Sequence, residues 1–410
     1  MLGTEGRHID ASAASAAPKA TLPAEALLEL SVVIPCLNES DTLGICLEKA
    51  RMALSNNNIN GEIIVADNGS TDGSQAIARR LGAHVVHVAE KGYGNALMGG
   101  IAAARGRFVI MGDADNSYNF AEIPVFLEKL RQGFALVQGC RLPAGGGRVL
   151  PGAMPWSHRW WGNPMFSFMA RRMFHAPIHD IHCGMRGFTK ALYLRLKQHC
   201  SGMEFASEMI IKASLLKAEI AEVPITLHPD GRRSHPPHLK TFRDGWRHLR
   251  FYLMYSPRWL FMMPGLLLLL LGLIGYALAM PRMVIGGVTL DVHTLLFSSL
   301  AILCGYQSIV FGIFTKAFAM RQELIPKDER IARLLDLVNL ERGLIIALIA
   351  LILGLGLLGA AANQWRLASF GDLDYSFTMR FVIPGVTLTA IGFQTILASF
   401  FLSILALRHR

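Results

Sequence analysis

The chain is poor in charged residues and has no paired cysteines. Only 17% of its 410 residues are charged, below the roughly one quarter usual in soluble domains. Its six cysteines lie far apart, and no two form a Cys-x-x-Cys pair. This spacing excludes a disulfide framework and a zinc knuckle, and it fits a reducing compartment. Residues 1–29 are rich in alanine and lack the apolar core of a signal peptide, so we expect a disordered tail that stays in the cytosol.

Apolar residues are plentiful but unevenly placed. They make up 52% of the chain, and its long uncharged runs lie at about 260–280, 292–315, 343–362 and 381–406. Each run approaches or exceeds the length needed to cross the hydrocarbon of a bilayer. A run such as LLLLLLGLIG has no polar face, which favours membrane spans over buried helices of a soluble domain. We predict that residues 259–410 form four transmembrane helices in two hairpins.

Basic residues indicate how these spans are oriented. The loop 316–342 carries six Lys or Arg, whereas 281–291 carries only Arg282 and 363–380 only Arg366 and Arg380. The positive-inside rule then places loop 316–342 and the N-terminal region on the cytosolic side of an inner or plasma membrane. The net charge of +10 includes arginines 243, 247, 250 and 258 beside the first run. We therefore expect a basic amphipathic segment over 241–258, with membrane lipids as its partners and no nucleic acid.

Strands and helices alternate in the first part of the chain. Hydrophobic patterning predicts strands at 31–37, 62–66, 83–88 and 107–111, with helices at 41–56, 74–81 and 95–105. Such alternation predicts an α/β domain with a parallel, doubly wound sheet. Ligands of such sheets bind at the carboxyl ends of the strands, and the polar motifs of this chain follow its strands. We assign the domain to residues 30–240.

Asp113 and Asp115 directly follow the predicted strand 107–111. Two carboxylates one residue apart can hold a hard divalent cation, whose other ligands are diphosphate and water. A solvated turn would show the same two residues. The pair therefore indicates a possible Mg²⁺ or Mn²⁺ site.

The segments after two other strands are also polar. Asp67 begins the run DNGSTDG, in which a tight turn would let its carboxylate accept a hydrogen bond from a nucleobase or ribose. Capping of the helix 74–81 by Ser70 or Asp72 is the simpler interpretation. Glu39, in the run IPCLNE after the first strand, equally fits a helix cap.

In this order and spacing, the motifs resemble the inverting family-2 glycosyltransferases, whose nucleotide-binding domain has the GT-A fold. That family has P-x-x-N-E, D-x-S-x-D-G, a Lys-Gly-rich segment and D-x-D. The matching residues here are Pro35, Asn38, Glu39, Asp67, Ser70, Asp72, Gly73, Lys91, Gly94, Asp113 and Asp115. The resemblance implies that Pro35, Asn38, Glu39, Asp67 and Lys91 bind a nucleotide-sugar, with Asp113 and Asp115 at its metal and diphosphate and Asp115 catalytic.

Within that family, residues 31–255 most resemble the dolichyl- and polyprenyl-phosphate sugar synthases. VQGCR is similar to their V-x-G-S-R and supplies Arg141, DIHCGMR is similar to D-x-T-S-G-F-R and supplies Arg186, and GMEFASEM supplies Glu208. The resemblance implies inverting transfer of a hexose from a GDP- or UDP-linked donor to a membrane polyprenyl or dolichyl phosphate. It implies a donor contact for Arg141 and catalytic roles for Arg186 and Glu208. Cys140, His182 and Cys183 depart from the family pattern.

Three basic residues lie just before the first apolar run: Arg232, Arg233 and Lys240. They loosely resemble the R-x-x-G-x-S-K segment of the same synthases. Arginine and lysine beside a membrane can grip the acceptor phosphate by charge-assisted hydrogen bonds. General attraction to anionic headgroups is the alternative.

Other functions stay open at this point. Processive polysaccharide synthases carry Q-x-x-R-W, whereas residues 255–259 read YSPRW. Transfer to a lipid or protein hydroxyl, and a non-catalytic lipid-binding protein or flippase, are further alternatives. A zinc site at His179, His182 and Cys183 would lack a partner pair of ligands. The tryptophans at 156, 160 and 161 fit core packing or a membrane interface as well as a sugar platform.

Overall fold

The computed structural model describes residues 28–233, 241–322 and 340–406. Most of the expected N-terminal tail, Lys240 and the central part of the basic loop, 323–339, lie outside the described residues.

A seven-stranded sheet forms the centre of the first domain. Its strands are β1 (Leu30–Cys36), β2 (Gly61–Asp67), β3 (His84–His87), β4 (Phe108–Met111), β5 (Leu136–Cys140), β7 (Arg186–Thr189) and β8 (Ile220–Pro224), and the order is β3-β2-β1-β4-β7-β5-β8. A second, two-stranded sheet pairs β6 (Arg148–Val149) with β9 (Thr226–Leu227). The four strands and three helices predicted over 31–111 all form, with small differences at their ends.

One strand interrupts the expected parallel arrangement. β1, β2, β3 and β4 pair in parallel, as does β5 with β8. β7 lies between β4 and β5 and is antiparallel to both. Because β7 begins at Arg186, the segment before it returns to the edge of the sheet where β4 ends.

Helices cover both faces of the sheet. One face packs α1 (Leu43–Asn56), α2 (Ser74–Arg80) and α4 (Ile123–Arg131), and the other packs α3 (Tyr93–Ala103), α5 (Asn163–Phe174), α6 (Lys190–Leu196), α7 (Glu204–Leu215) and α8 (Thr241–Tyr255). Side chains of β1 alternate between them, since Val32 and Ile34 join the first core and Val33 the second. The sheet is therefore buried on both sides, as alternating strands and helices predict.

Four apolar helices follow: α9 (Met263–Ala279), α10 (Val292–Arg321), α11 (Leu340–Leu367) and α12 (Tyr375–Ala406). All four are long and apolar enough to cross a membrane, the first when it is counted from Arg258 to Ala279. Glycines let neighbouring helices approach closely, because a Cβ at Gly265 of α9 would lie 2.9 Å from the Gly305 carbonyl oxygen of α10. The same holds between Gly392 of α12 and the Ala347 carbonyl oxygen of α11, at 2.9 Å. Small residues at such crossings are typical of membrane helix pairs.

α8 joins the two parts of the molecule. Its buried residues, Asp244, His248, Phe251 and Tyr252, form one stripe against the first domain, and Phe242 and Trp246 are exposed. A π-helical turn, Arg258–Met262, then leads into α9. The guanidinium of Arg172 on α5 lies 5.1 Å from the ring centre of Trp259 in this turn. The first domain thus contacts the chain where the first apolar helix begins.

Candidate active site

The loops after β1 and β2 are joined side by side. Cys36 and Asp67, which end the two strands, are register partners. Asn38 adopts a left-handed conformation, with φ at 59°, and donates its N–H to Ser70 Oγ at 3.0 Å. Its side-chain oxygen accepts the N–H of Thr71 at 2.8 Å. Two motifs that are about thirty residues apart in sequence therefore form one surface at the carboxyl edge of the sheet.

Asp67 lies at the base of this surface and is 1% exposed. Its carboxylate accepts hydrogen bonds from the N–H of Ser70 at 3.1 Å and from Gln75 Nε2 at 2.8 Å. Burial raises the pKa of Asp67, but the hydrogen bonds from Ser70 and Gly69 outweigh burial and lower the pKa below its usual value. Asp67 is thus an anionic acceptor at neutral pH.

Asp72 supports the start of α2. Its Oδ1 accepts the N–H of Ser74 at 3.0 Å and the Ser74 hydroxyl at 2.6 Å, and its Oδ2 accepts the N–H of Ser40 at 2.8 Å. The predicted N-cap at Ser70 or Asp72 is wrong, because Gly73 is the N-cap of α2 and makes no side-chain cap hydrogen bond, while Asp72, the residue before it, accepts the first helical N–H. Ser70 instead binds the backbone of Asn38.

Lys91 covers the loop after β2. Its Nζ donates to the Asn68 carbonyl oxygen at 2.6 Å, and the N–H of Gly92 donates to Asn68 Oδ1 at 2.8 Å. A Cβ at Gly69, whose φ is +91°, would collide with Lys91 Nζ. The Lys-Gly segment is therefore packed directly on the predicted nucleotide-binding loop.

Asp113 and Asp115 lie in the turn after β4. Tyr93 donates its phenol hydroxyl to Asp113 Oδ1 at 2.8 Å. Asp115 Oδ1 accepts the N–H of Ser117 at 3.0 Å and the Ser117 hydroxyl at 2.6 Å. Burial, and next repulsion from Asp115, raise the pKa of Asp113 to about 6.

The donor atoms of this pair suit a hard divalent cation. Burial and Asp115 raise the pKa of Asp113 by more than Tyr93, Arg232 and Arg141 lower it. Carboxylate oxygens are the ligands that Mg²⁺ prefers, and such ions commonly take only one or two carboxylates plus substrate phosphates and water. No cluster of three or more His, Cys, Asp or Glu with metal-site geometry occurs among the described residues. The residues present therefore fit an ion whose coordination is completed by a diphosphate.

Arg232 lies among three carboxylates at this same edge. Its Nε and Nη2 bind both oxygens of Glu39 at 2.6–3.0 Å, and its Nη1 binds Asp230 Oδ2 at 2.7 Å. Nη1 is also 3.5 Å from Asp115 Oδ2. The Arg232 side chain is 12% exposed and that of Glu39 is 5% exposed. The guanidinium therefore bridges the loop after β1 and the turn after β4.

The backbone around Arg232 crosses the same turn. His228 N–H donates to the Ser117 carbonyl oxygen and Gly231 N–H to the Asp115 carbonyl oxygen, both at 2.9 Å. The N–H of Arg233 donates to Asp41 Oδ2 at 3.1 Å, and the residue is exposed. Residues 228–233, which we call the strap, thus place the two arginines differently. Lys240, predicted alongside them, is outside the described residues.

Arg141 and Arg186 are buried and bind the protein itself. Arg141 makes two side-chain hydrogen bonds to Asp180, at 2.7 and 2.9 Å. Arg186 is 0% exposed and donates to the carbonyl oxygens of Cys183 at 2.5 Å and Ala206 at 2.6 Å. Both side chains hold the segment before β7 against its neighbours.

Glu208 is fully buried in α7. Its carboxylate accepts the N–H groups of His199 at 3.1 Å and Cys200 at 2.9 Å, and it forms an ion pair with Lys212 at 2.7 Å. Among the described residues, none of its hydrogen bonds or ion pairs reaches Asp113 or Asp115. Glu208 therefore organises the loop before α7.

The zinc alternative has no support in the geometry. His179 Nδ1 contacts Glu222 Oε2 at 2.7 Å, His182 Nδ1 contacts Asn163 Oδ1 at 3.0 Å, and Cys183 is buried. Each of these side chains has its own protein neighbour, and no metal-site cluster appears in the described ranges.

The tryptophans before α5 are not in the core. Trp156, Trp160 and Trp161 are 67%, 55% and 69% exposed. Their exposure excludes packing in the core. Of the predicted roles for these tryptophans, contact with a membrane interface and a platform for a sugar ring remain.

Several residues that shape the site were not predicted from the sequence. Tyr93 stands inside the Lys-Gly segment, and Asp230 directly precedes the Gly-Arg-Arg run, so both were within motifs already identified. Asp180 begins the DIHCGMR motif, of which only Arg186 was predicted to be a site residue. Their contacts join positions far apart in the chain, and one sequence gives no signal for such pairs.

Comparison with known families covers both parts of the chain. Residues 31–196 match the family described as glycosyl transferase family 2. Residues 313–406 match the glycosyltransferase family 2 C-terminal transmembrane region. Most of the candidate site motifs lie in the first match, and the last two apolar helices lie in the second.

Two proteins of Haloferax volcanii are similar to the chain. The low-salt glycan biosynthesis hexosyltransferase Agl6 is 36% identical over 91% of this chain and 88% of its own length. A dolichyl-phosphate hexose transferase is 29% identical over 53% of this chain and 89% of its own length. The first relative therefore extends through the membrane region, and the second covers about half of the chain.

A solved structure shares a more distant likeness. Glucosyl-3-phosphoglycerate synthase from Mycobacterium tuberculosis, in complex with Mn²⁺ and UDP-glucose, is 22% identical over 55% of this chain and 78% of that chain, with a TM-score of 0.43. At that distance no residue role is carried over. The two family matches and the extent of the Agl6 similarity decide the assignment. The chain belongs to glycosyltransferase family 2 and is an integral membrane protein with a GT-A catalytic domain.

Proposed function

We propose that this glycosyltransferase moves a hexose from a nucleoside-diphosphate sugar to a membrane polyprenyl phosphate. The observation that carries the proposal is the pair Asp113 and Asp115, placed beside the Asn38–Asp67 surface in a domain that leads through α8 into the first apolar helix. One relative is named a dolichyl-phosphate hexose transferase, which supports this acceptor class.

The donor nucleoside would bind at the loops after β1 and β2. Asp67 would accept a hydrogen bond from the base or ribose, since it is anionic and lies at the base of that surface. Pro35, Asn38 and Glu39 would form one wall and Lys91 the other. Because Lys91 already contacts the Asn68 carbonyl oxygen, its ammonium is within this loop region and can reach a nearby phosphate.

The diphosphate would lie at the turn after β4. Asp113 and Asp115 would hold Mg²⁺ or Mn²⁺ there, and the ion would stabilise the negative charge that develops on the leaving diphosphate. The two carboxylates bring the ion to the carboxyl edge of β4, next to the nucleoside loops. The binding free energy of the nucleoside then helps to position the sugar C1.

The acceptor would be a phosphate oxygen at headgroup depth. It attacks C1 from the face opposite the diphosphate, forms the new C1–O bond and releases the nucleoside diphosphate, so the anomeric configuration inverts. A phosphate monoester is already ionised near neutral pH, because its second pKa is about 6. This chemistry requires no strong general base, which agrees with a Glu208 that is committed to backbone N–H groups.

The two arginines of the strap would serve different substrates. Arg232 is held by Glu39 and Asp230 beside Asp115, so we assign it to the donor side. Arg233 is exposed, and Lys240 directly precedes α8 in the sequence, so we assign these two to the acceptor phosphate. Arg141 and Arg186 would act by shaping the segment before β7, since their guanidinium groups are bound to the protein.

A second candidate acceptor is a hydroxyl of a lipid-linked glycan. The name of the Agl6 relative, a glycan biosynthesis hexosyltransferase, favours it. The two products differ chemically, because a hexosyl phosphate ester is cleaved by mild acid and an ordinary glycoside between sugars survives it.

A panel of labelled donors tests the proposal. Purified protein in nanodiscs would receive GDP- and UDP-linked hexoses together with polyprenyl phosphate. A labelled lipid that mild acid cleaves supports the phosphate acceptor. Label that enters lipid only when an oligosaccharide-lipid is supplied, and that survives mild acid, supports the hydroxyl acceptor.

A further inference from the structure

Tyr93 stands between the two halves of the proposed donor site. It is the first residue of α3, and its hydroxyl donates to Asp113 Oδ1 at 2.8 Å. The other aspartate of the pair is held differently, by the N–H and hydroxyl of Ser117 in its own turn. Asp113 thus takes its hydrogen bond from a distant residue, whereas the hydrogen bonds to Asp115 come from its own turn and its distant partner, Arg232, lies 3.5 Å away.

The phenol contact leaves the second oxygen of Asp113 available. A Cβ placed on Gly184 would collide with Asp113 Oδ2, so glycine at this position lets the segment before β7 pass close to that oxygen. A carboxylate with one oxygen fixed by a donor presents its other oxygen as a defined ligand atom. Partners of this kind, one step removed from the metal, orient its ligands.

The position of Tyr93 is itself fixed by the nucleotide loop. Gly92 has a φ of +137°, which strongly favours glycine, and its N–H donates to Asn68 Oδ1 at 2.8 Å. Lys91 Nζ binds the carbonyl oxygen of the same Asn68 at 2.6 Å. A continuous series of hydrogen bonds and chain therefore connects the loop after β2 with the phenol of Tyr93 and with Asp113.

The start of α3 is also clamped from the other side. Gly94 N–H donates to the Ser201 carbonyl oxygen at 2.8 Å, and a Cβ on Gly94 would collide with the Cys200 carbonyl oxygen. Glu208 holds this loop by accepting the N–H of Cys200 at 2.9 Å. Glu208 thus reaches the site through backbone, by way of Gly94 and Tyr93.

We propose that Tyr93 is a positioning residue that orients Asp113 for a divalent cation, and that Glu208 supports Tyr93 through the 199–201 loop. The inference rests on the proposed role of Asp113 as a metal ligand. Because Glu208 is buried, we assign it support of Tyr93 and no direct contact with the reacting groups. It also joins nucleoside binding to the geometry of the metal ligand, because both depend on the turn at Lys91–Tyr93.

Mn²⁺ binding to the full-length protein in nanodiscs, with a fixed concentration of UDP or GDP to complete the coordination, tests this directly. Electron paramagnetic resonance of free Mn²⁺ would give its affinity for the wild type, Tyr93→Phe and Asp113→Asn. Tyr93→Phe removes one hydroxyl and should weaken Mn²⁺ binding about ten- to hundredfold, the usual effect of deleting such a supporting contact. Tyr375→Phe is the matched control, since this tyrosine is 60% exposed at the start of α12, outside the catalytic domain. It should leave the affinity unchanged.

Turnover measurements distinguish a loss of Asp113 positioning from general damage to the active site. For Tyr93→Phe, the Mn²⁺ concentration giving half-maximal rate should rise about ten- to hundredfold while the rate at saturating Mn²⁺ stays within about threefold of wild type. Glu208→Gln should move the Mn²⁺ requirement in the same direction. Glu204→Gln, on the same helix and paired only loosely with Arg247 at 3.8 Å, is its control and should not.

These measurements distinguish a failure of the proposed role of Tyr93 from a failure of the proposed metal role of Asp113. Equal Mn²⁺ affinity for wild type and Tyr93→Phe, with none for Asp113→Asn, would overturn the role of Tyr93 and leave the proposed function intact. Equal Mn²⁺ affinity for wild type and Asp113→Asn would overturn the metal role and this inference with it. Weakened binding in Tyr93→Phe with an unchanged thermal unfolding temperature supports the inference.

Discussion

Arg232 grips both carboxylate oxygens of Glu39, a residue 193 positions earlier in the chain, at 2.6–3.0 Å. The contact closes the strap over the loops that follow β1 and β4. Sequence analysis assigned Arg232 and Arg233 the same acceptor role, and the geometry separates them. The roles of Arg232 and Arg233 can therefore be compared by substituting each one in turn.

Alanine at each arginine should affect a different substrate. Arg233→Ala should lower catalytic efficiency with polyprenyl phosphate about ten- to hundredfold, the cost of about 1.5–3 kcal/mol for a charge-assisted contact. Arg232→Ala should instead weaken nucleotide-sugar binding, because Glu39 and Asp230 lose their shared cation. Steady-state kinetics in neutral-lipid nanodiscs, with each substrate varied in turn, would show this. An unchanged acceptor dependence in Arg233→Ala would reject its assignment.

Asp115→Asn should remove most activity from a folded protein. Loss of one preorganised carboxylate at the diphosphate should cost roughly two to three orders of magnitude in rate, or about 3–4 kcal/mol. Its Ser117 contacts can be retained by the asparagine carbonyl, so the turn should persist. Rates with and without chelator would be measured beside the thermal unfolding temperature. Near-normal wild-type activity in excess chelator would contradict the metal role.

In the metal-free protein, the contribution of Asp113 to the free energy of unfolding should decrease as pH rises. Burial and Asp115 raise the pKa of Asp113 from 3.8 to about 6, so the folded state binds a proton that the unfolded state has already released between these values. The stabilisation is present below the lower pKa and is lost as pH rises through the higher one. Asp113→Asn has no such titration.

Thermal unfolding with chelator, from about pH 4 to about pH 7, would compare wild type with Asp113→Asn. The wild type should become less stable relative to the variant as pH rises across this range. A difference that stays constant with pH would show that Asp113 titrates as an ordinary carboxyl group.

Cysteines introduced one at a time should report the orientation of the four apolar helices. We propose that the catalytic domain is cytosolic, on the basis of the six basic residues in 316–342. Gly286→Cys and Phe370→Cys should react with a membrane-impermeant reagent only from the non-cytosolic side, and Asp328→Cys only from the cytosolic side. The wild type with its six native cysteines gives the background. Labelling of position 328 from outside would overturn the orientation.

Much of the fold follows from local pattern. The strands and helices over 31–111 and the four apolar helices were predictable because each has a strong hydrophobic period or run. β7 was not, because Arg186–Thr189 is only four residues long and contains one large apolar side chain. Its antiparallel pairing depends on contacts with β4 and β5 that local sequence does not encode.

The candidate site was predictable in part for the same reason. Asp67 and Asp113 each follow a strand, so their place at one edge of the sheet could be inferred. Other features of the site depend on contacts between separate elements. These are the burial of Glu208, the Arg141–Asp180 ion pair and the Tyr93–Asp113 hydrogen bond. These contacts decide which side chains can meet a substrate, and they appear only in the folded chain.

The central claim is that the acceptor is a polyprenyl phosphate. Its most direct test is the product formed by wild type and Asp115→Asn in nanodiscs containing polyprenyl phosphate and one labelled nucleotide-hexose at a time. We expect the wild type to make a labelled lipid from one donor, mild acid to release its hexose, and Asp115→Asn to make almost none. Label found only in a product that survives mild acid, with polyprenyl phosphate present and unconsumed, would contradict the account.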